Sequence, residues 1–445
     1  MEFLIYIISI FALLIIVLSF LNIKLSIAVY IAYLILVPYF QLKIGGLSLS
    51  YNIVNLLLLL NFLYHYRIKQ KINLNYTGVQ PFIFLFLALL LLSVFSPVVP
   101  WGDQFFAWRA TFMQTCILIF IIRNIAIKDY ELIRYIKWSL IVSLAIAGIY
   151  GIFLTKLEGI NPYTTYLSDY YGVKDIAEEF LQSETRLSFS SASKIQSTMN
   201  HPMTWGLNLS FAMILLTAFI FNEKKKWYWI IATLIGFNIL ISGVRTAIAA
   251  LALGAGYFLL MNKNLKQLTY AIVFVLLSFL IISNNEDLSN LFASFTDVHD
   301  NKSDIKGSSI SARYGQLKGC FVEIEGYKLA GKGYNWHGYY LINHGDHPVI
   351  LAFESLIFII ICDSGIIGIF IWLLFFLFLI REQRKILKLQ ENIYLMDSIV
   401  IVYFAYSIGT GEYGYMSFFG IYYIFLIQYL HSVELNKQKL ILNII

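Results

Sequence analysis

Charge is what this sequence has least of. Asp, Glu, Lys and Arg make up 13% of its 445 residues, against about 25% in an ordinary soluble domain. With 59% hydrophobic and 17% aromatic residues besides, a soluble globular core is excluded as the organising principle. Cysteine is the second shortage. Cys116 and Cys362 fall in or beside apolar runs and Cys320 in a loop, so they offer neither a disulfide framework nor metal-ligand spacing. The first apolar run, Phe3 to Phe20, lacks the basic start and small-residue cleavage site of a signal peptide, and is expected to be a retained span. No internal repeat relates the two halves, which counts against a secondary transporter, where inverted repeats are common. The net charge of +6 does not point to nucleic acid, because the Lys and Arg residues sit mostly in short loops between apolar runs, where they set orientation.

What is present is a succession of apolar runs of about 17–25 residues, the length that a bilayer core of about 30 Å asks of a helix. They place spans at 3–21, 25–41, 47–65, 80–96, 105–122, 138–155, 203–221, 227–242, 244–261, 267–283, 353–380, 395–409 and 412–430. The expectation is an all-α polytopic integral membrane protein. It forms one membrane domain over 1–445 with 12–13 transmembrane helices and two long extracytoplasmic loops, 156–202 and 284–352. Arg67, Lys69 and Lys71, then Arg123, Lys128, Arg134 and Lys137, then Lys224 to Lys226, Lys263 and Lys266, and Arg381, Arg384, Lys385 and Lys388 occupy alternate loops. That side is therefore expected to be cytoplasmic, with the N-terminus outside. In the first long loop Val173, Ile176, Ala177, Phe180 and Leu181 share one helical face, which predicts a short amphipathic helix. In the second, Leu317, Phe321, Ile324 and Lys328 have helical spacing ahead of a glycine turn at Gly331 and Gly333.

This topology carries separated polar residues to one surface. Arg245 follows a two-residue turn at the outer mouth of its span. Arg186 and His201 end the first long loop, while Arg313, His337, His344 and His347 belong to the second, and Glu354 opens the next span. Each has a plain structural alternative: an arginine at a helix end snorkels to headgroups, a loop arginine forms a surface ion pair, and a histidine before proline terminates a loop. The histidines lack a second cluster of ligand spacing, so no metal is expected. A carboxylate at the start of an apolar run is costly alone, so Glu354 is expected to be buried with a partner. Taken together the residues fit one chemistry. Arginine grips phosphate oxygens bidentately, and a Glu or His can take a proton from a hydroxyl. That is glycosyl transfer from a lipid-diphosphate donor, with no cofactor and, in the absence of an outer-face Asp-x-Asp pair, no metal.

The order Ser311-Ala312-Arg313, then Leu329-Ala330-Gly331-Lys332-Gly333, then Gly365-Ile366-Ile367-Gly368 in a late span resembles the bacterial O-antigen polymerase and O-antigen ligase superfamily. Ile241-Ser242-Gly243-Val244-Arg245-Thr246-Ala247 resembles one of its span starts, and the likeness covers mainly residues 186–370. The resemblance implies an inner-membrane glycosyltransferase that uses undecaprenyl-diphosphate-linked oligosaccharide outside the cytoplasm. It implies the bilayer, a chain-length regulator and a flippase as partners, and Arg245, Arg313 and, more loosely, Arg186 as diphosphate ligands. Ligases carry a His followed by Asn, Ser or Gln eleven residues before the first of those glycines. This chain has Glu354-Ser355 there, which moves the implied activity from ligase towards polymerase. Glu354, His347 and His344 are the candidate bases, with His201 and His337 in support.

Overall fold

In lipid no water satisfies backbone N–H and C=O groups, so a chain this apolar must close its own hydrogen bonds within helices. The computed structural model describes residues 2–38, 42–44, 47–96, 98–157, 161–171, 195–262, 310–350 and 353–442. Among these, eight helices are long and apolar enough to cross a membrane, the make-up of a multi-pass membrane protein. Arg186, the amphipathic segment at 173–181 and the span at 267–283 lie outside the described residues.

The helices are α1 (Glu2–Leu21), α2 (Ile23–Leu36), α3 (Tyr51–Phe62), α4 (Gln80–Ser93), α5 (Trp101–Lys128) and α6 (Glu131–Leu154). They continue with α7 (Pro162–Tyr171), α8 (Pro202–Glu223), α9 (Trp227–Ile241) and α10 (Arg245–Asn262). After these come α11 (Ile310–Glu323), α12 (Trp336–His344), α13 (Leu356–Ile386), α14 (Gln390–Gly409) and α15 (Tyr415–Leu442). A two-stranded antiparallel hairpin, Leu42–Ile44 with Leu47–Leu49, separates α2 from α3.

Several expected boundaries are corrected. The run 25–41 supplies a helix of only 14 residues, and the run at 47 opens as a strand, so the next helix begins at Tyr51. Other helices run well past their apolar cores: α6 starts at Glu131, α13 ends at Ile386 and α15 reaches Leu442. Hydropathy senses only the part of a helix that lies in hydrocarbon. The second long loop also holds α12, which was not anticipated, beside α11, which contains Leu317 and Phe321 of the expected helix but ends before Ile324 and Lys328.

Burial reads as it should for a bundle in lipid. Leu21, Ile149, Trp229, Ile230, Leu260 and Leu377 are each more than half exposed, a surface that water would penalise and acyl chains do not. The interior is aromatic instead. Phe82, Phe211, Phe375, Tyr403, Phe419 and Tyr423 are all essentially buried and form a linked set, with Tyr403 stacked on Phe419 at 4.2 Å.

The basic loops gather at one end of the bundle. Lys24, in the first turn of α2, pairs with Asp129 at 2.6 Å and with Glu131. Lys137 pairs with Glu223 at 2.8 Å, and the Gly78 N–H reaches Glu382 at 3.4 Å. Glu434 accepts the N–H groups of Lys388 and Leu389, closing the open end of α14. Because the α1–α2 turn lies at this basic end, the start of α1 lies at the opposite end.

Candidate functional site

The opposite end is built around a break in α13. Gly365 has φ 63° and ψ −158°, a region that essentially only glycine occupies. The break frees the carbonyls of residues 362 and 363 and the N–H groups of residues 366 and 367. All four find partners in one loop. The N–H groups of Lys332 and Gly333 donate to Cys362 O (2.8 Å) and Asp363 O (2.9 Å), and those of Ile366 and Ile367 donate to Lys328 O (3.0 Å) and Leu329 O (3.1 Å). So close an approach requires glycine on both sides: a Cβ on Gly365 would lie 2.6 Å from Gly331 N and Leu329 O. The Leu-Ala-Gly-Lys-Gly segment and the Gly-x-x-Gly segment are thus two halves of one splice. The splice is fastened elsewhere by Ser96 Oγ, which donates to Gly331 O at 3.0 Å, and by Gln104 Oε1, which accepts from the Tyr334 N–H at 3.0 Å.

Asp363, at the break, is buried. Its carboxylate accepts the N–H groups of Asn335 (2.9 Å) and His337 (3.0 Å) at the start of α12, and its Oδ2 lies 3.0 Å from His337 Nδ1. A second carboxylate, Glu323 at the end of α11, is 2.5 Å from Lys332 Nζ and 3.3 Å from His347 Nε2. His347 Nδ1 in turn accepts from the N–H groups of Val349 and Ile350, so the ring proton sits on Nε2 and both nitrogens are engaged. Burial pushes the Glu323 carboxyl up, but Lys332 and His347 outweigh it and hold the group below the ordinary range. His344 is exposed and stacks on Tyr340 at 4.8 Å.

Glu354 has the partner its position calls for: Arg313 Nη2 stands 2.7 Å from its Oε2, with side-chain exposures of 27% and 11%. Gln316 accepts from the same guanidinium at 3.3 Å. One detail differs from expectation. Glu354 does not open the helix but precedes it, between Phe353 at φ 51° and the extended N-cap Ser355. The surrounding sequence is uniformly apolar, so hydropathy cannot see that turn.

Backbone contacts bring the other predicted residues to this end. The Gly411 N–H donates to Glu354 O (3.0 Å), and Ser355 Oγ donates to Ile408 O (2.7 Å), tying the start of α13 to the end of α14. Thr410 Oγ1 lies 2.9 Å from Met203 Sδ, and Tyr406 OH donates to Met203 O (2.6 Å), which adds the start of α8. His201 is the N-cap there, its Nδ1 accepting from the Met203 N–H at 3.1 Å. A Cβ on Gly409 would collide with the Thr246 side chain, and one on Gly206 would stand 3.0 Å from Ala247 Cβ, which brings in the start of α10 and its first residue, Arg245. The N-termini of α8, α10 and α13 therefore meet around the C-terminal end of α14.

One residue of this end was not singled out from sequence. Glu412 lies in the turn Thr410-Gly411-Glu412-Tyr413-Gly414 between α14 and α15. Its side chain is reached by solvent, while the surrounding protein partly desolvates it. That desolvation raises its carboxyl above the usual range, and His337 pulls it partly back. Glycines flanking a carboxylate between two apolar runs were the available signal. No protein-family model and no curated protein matches the chain.

Proposed function

We propose that the chain is a glycosyltransferase that joins undecaprenyl-diphosphate-linked oligosaccharide repeat units into a surface polysaccharide, at the extracytoplasmic face of a bacterial inner membrane. The observation that supports this reading best is the guanidinium of Arg313, held by Glu354 at the end of the bundle where three helix N-termini meet. That end lies opposite the basic loops, so the positive-inside rule makes it extracytoplasmic. Arg313 and Arg245 grip the donor diphosphate and stabilise its charge as it leaves. Glu354 orients Arg313 through a partly buried ion pair. His347 and Asp363 hold the loop around the splice, since their polar atoms are taken up by Glu323, by backbone N–H groups and by His337.

Deletion of the coding sequence in the source strain, followed by electrophoresis of the surface glycan, tests the reading. The expected product is a single repeat unit on its acceptor. Full-length polymer stranded on the lipid carrier makes the protein a ligase instead. Unchanged glycan removes both activities.

A further inference from the structure

Three of the carboxylates in or beside the site are spoken for. Glu354 is paired with Arg313, Glu323 with Lys332 and His347, and Asp363 with two N–H groups and His337. Glu412 is not: its carboxylate makes no hydrogen bond or ion pair among the described residues, and it faces solvent. Its backbone is nevertheless fixed. The Gly411 N–H is bonded to Glu354 O, the Tyr415 N–H to Glu412 O (3.2 Å) and the Met416 N–H to Tyr413 O (3.1 Å). Tyr413 stacks on Tyr334 at 5.0 Å and lies 6.1 Å from the His337 ring. The turn that carries Glu412 is thus pinned to the residue that holds Arg313. The turn thus holds a carboxylate without a partner close to the Arg313–Glu354 pair, open to a ligand that reaches it from solvent.

We propose that Glu412 is the general base of the transfer, taking the proton of the acceptor sugar hydroxyl while Arg313 holds the donor diphosphate. The proposal rests on the glycosyltransferase reading above. In the step, the acceptor hydroxyl oxygen forms a bond to the anomeric carbon of the donor. The bond from that carbon to the diphosphate oxygen breaks, the electron pair leaves with the lipid diphosphate, and the hydroxyl proton passes to Glu412. Carboxylate and guanidinium have separate tasks here. An ion-paired Glu354 keeps Arg313 in place, and the unpaired Glu412 remains basic towards a hydroxyl. The desolvation that raises its carboxyl brings it closer to the strength such a base needs.

The test uses the full chain in lipid nanodiscs, with undecaprenyl diphosphate as the binding probe. The turnover substrate is lipid-linked oligosaccharide extracted from source-strain membranes that lack the protein. Glu412→Gln is expected to bind undecaprenyl diphosphate within about twofold of wild type and to lose about 10² or more in turnover, the usual share of a general base. Glu354→Gln is expected to weaken binding instead, by releasing Arg313. Intact binding in Glu412→Gln also shows that the variant is folded. Turnover within a few-fold of wild type in Glu412→Gln overturns the assignment and leaves the glycosyltransferase reading standing. Loss of binding and turnover together in that variant overturns it too, and makes Glu412 part of the frame. A wild-type protein that neither binds the probe nor turns over removes the reading and the proposal at once.

Discussion

Replacing Gly365 by alanine should be among the costliest single-methyl additions at the described residues. At φ 63° and ψ −158° an L-residue carries about 1–3 kcal/mol of backbone strain before any contact is considered. The new Cβ would then lie 2.6 Å from Gly331 N and Leu329 O, so the 328–333 loop must withdraw. Withdrawal strains the four hydrogen bonds at 2.8–3.1 Å that satisfy the break. Each contributes about 1 kcal/mol net, and a buried group left without a partner costs about 1–3 kcal/mol. Even if only two bonds are lost, the total reaches about 3–9 kcal/mol, a large part of an ordinary folding free energy of about 5–15 kcal/mol. Thermal unfolding of the purified protein in detergent, followed by tryptophan fluorescence, measures it. Gly256→Ala, where a Cβ meets nothing within 4 Å, is the control and should be neutral or slightly stabilising. The splice is refuted as a structural keystone if Gly365→Ala unfolds at the same temperature as wild type.

Three further outcomes are expected. Arg313→Lys should weaken undecaprenyl diphosphate binding by about 1.5–3 kcal/mol, the scale of a hydrogen bond to a charged group, because an ammonium cannot reproduce the guanidinium fork; isothermal titration in nanodiscs reads this, and unchanged affinity removes Arg313 from the site. Glu323 has a depressed folded-state pKa, so its contribution is present above the unfolded carboxylate value of about 4.3 and is lost as pH falls below that. Glu323→Gln should therefore destabilise the protein at pH 6–7 by about 1–2 kcal/mol, with the gap to wild type closing towards pH 3; a gap that persists there contradicts the ion-pair account. Gln104→Ala should loosen the same loop, since it removes bonds to Ser96 O, Val99 O and the Tyr334 N–H, and faster amide exchange at residues 328–336 is the measurement.

Composition alone determined that this chain is helical and built for a bilayer, because a backbone in hydrocarbon has few other ways to satisfy itself. The need for Glu354 to have a partner was also legible, because an uncompensated carboxylate at that depth is too costly. Which arginine supplies the partner was not. Arg313 and Glu354 are brought together by the folding of α11 against α13, a contact that no local pattern encodes. The same holds for the splice: Gly331 and Gly365 are recognisable as glycines in short motifs, but their need for each other exists only where two backbones meet. His347 shows the limit most plainly. In sequence His347 is a candidate base, and only the tertiary structure turns one of its nitrogens to two backbone N–H groups and the other to Glu323.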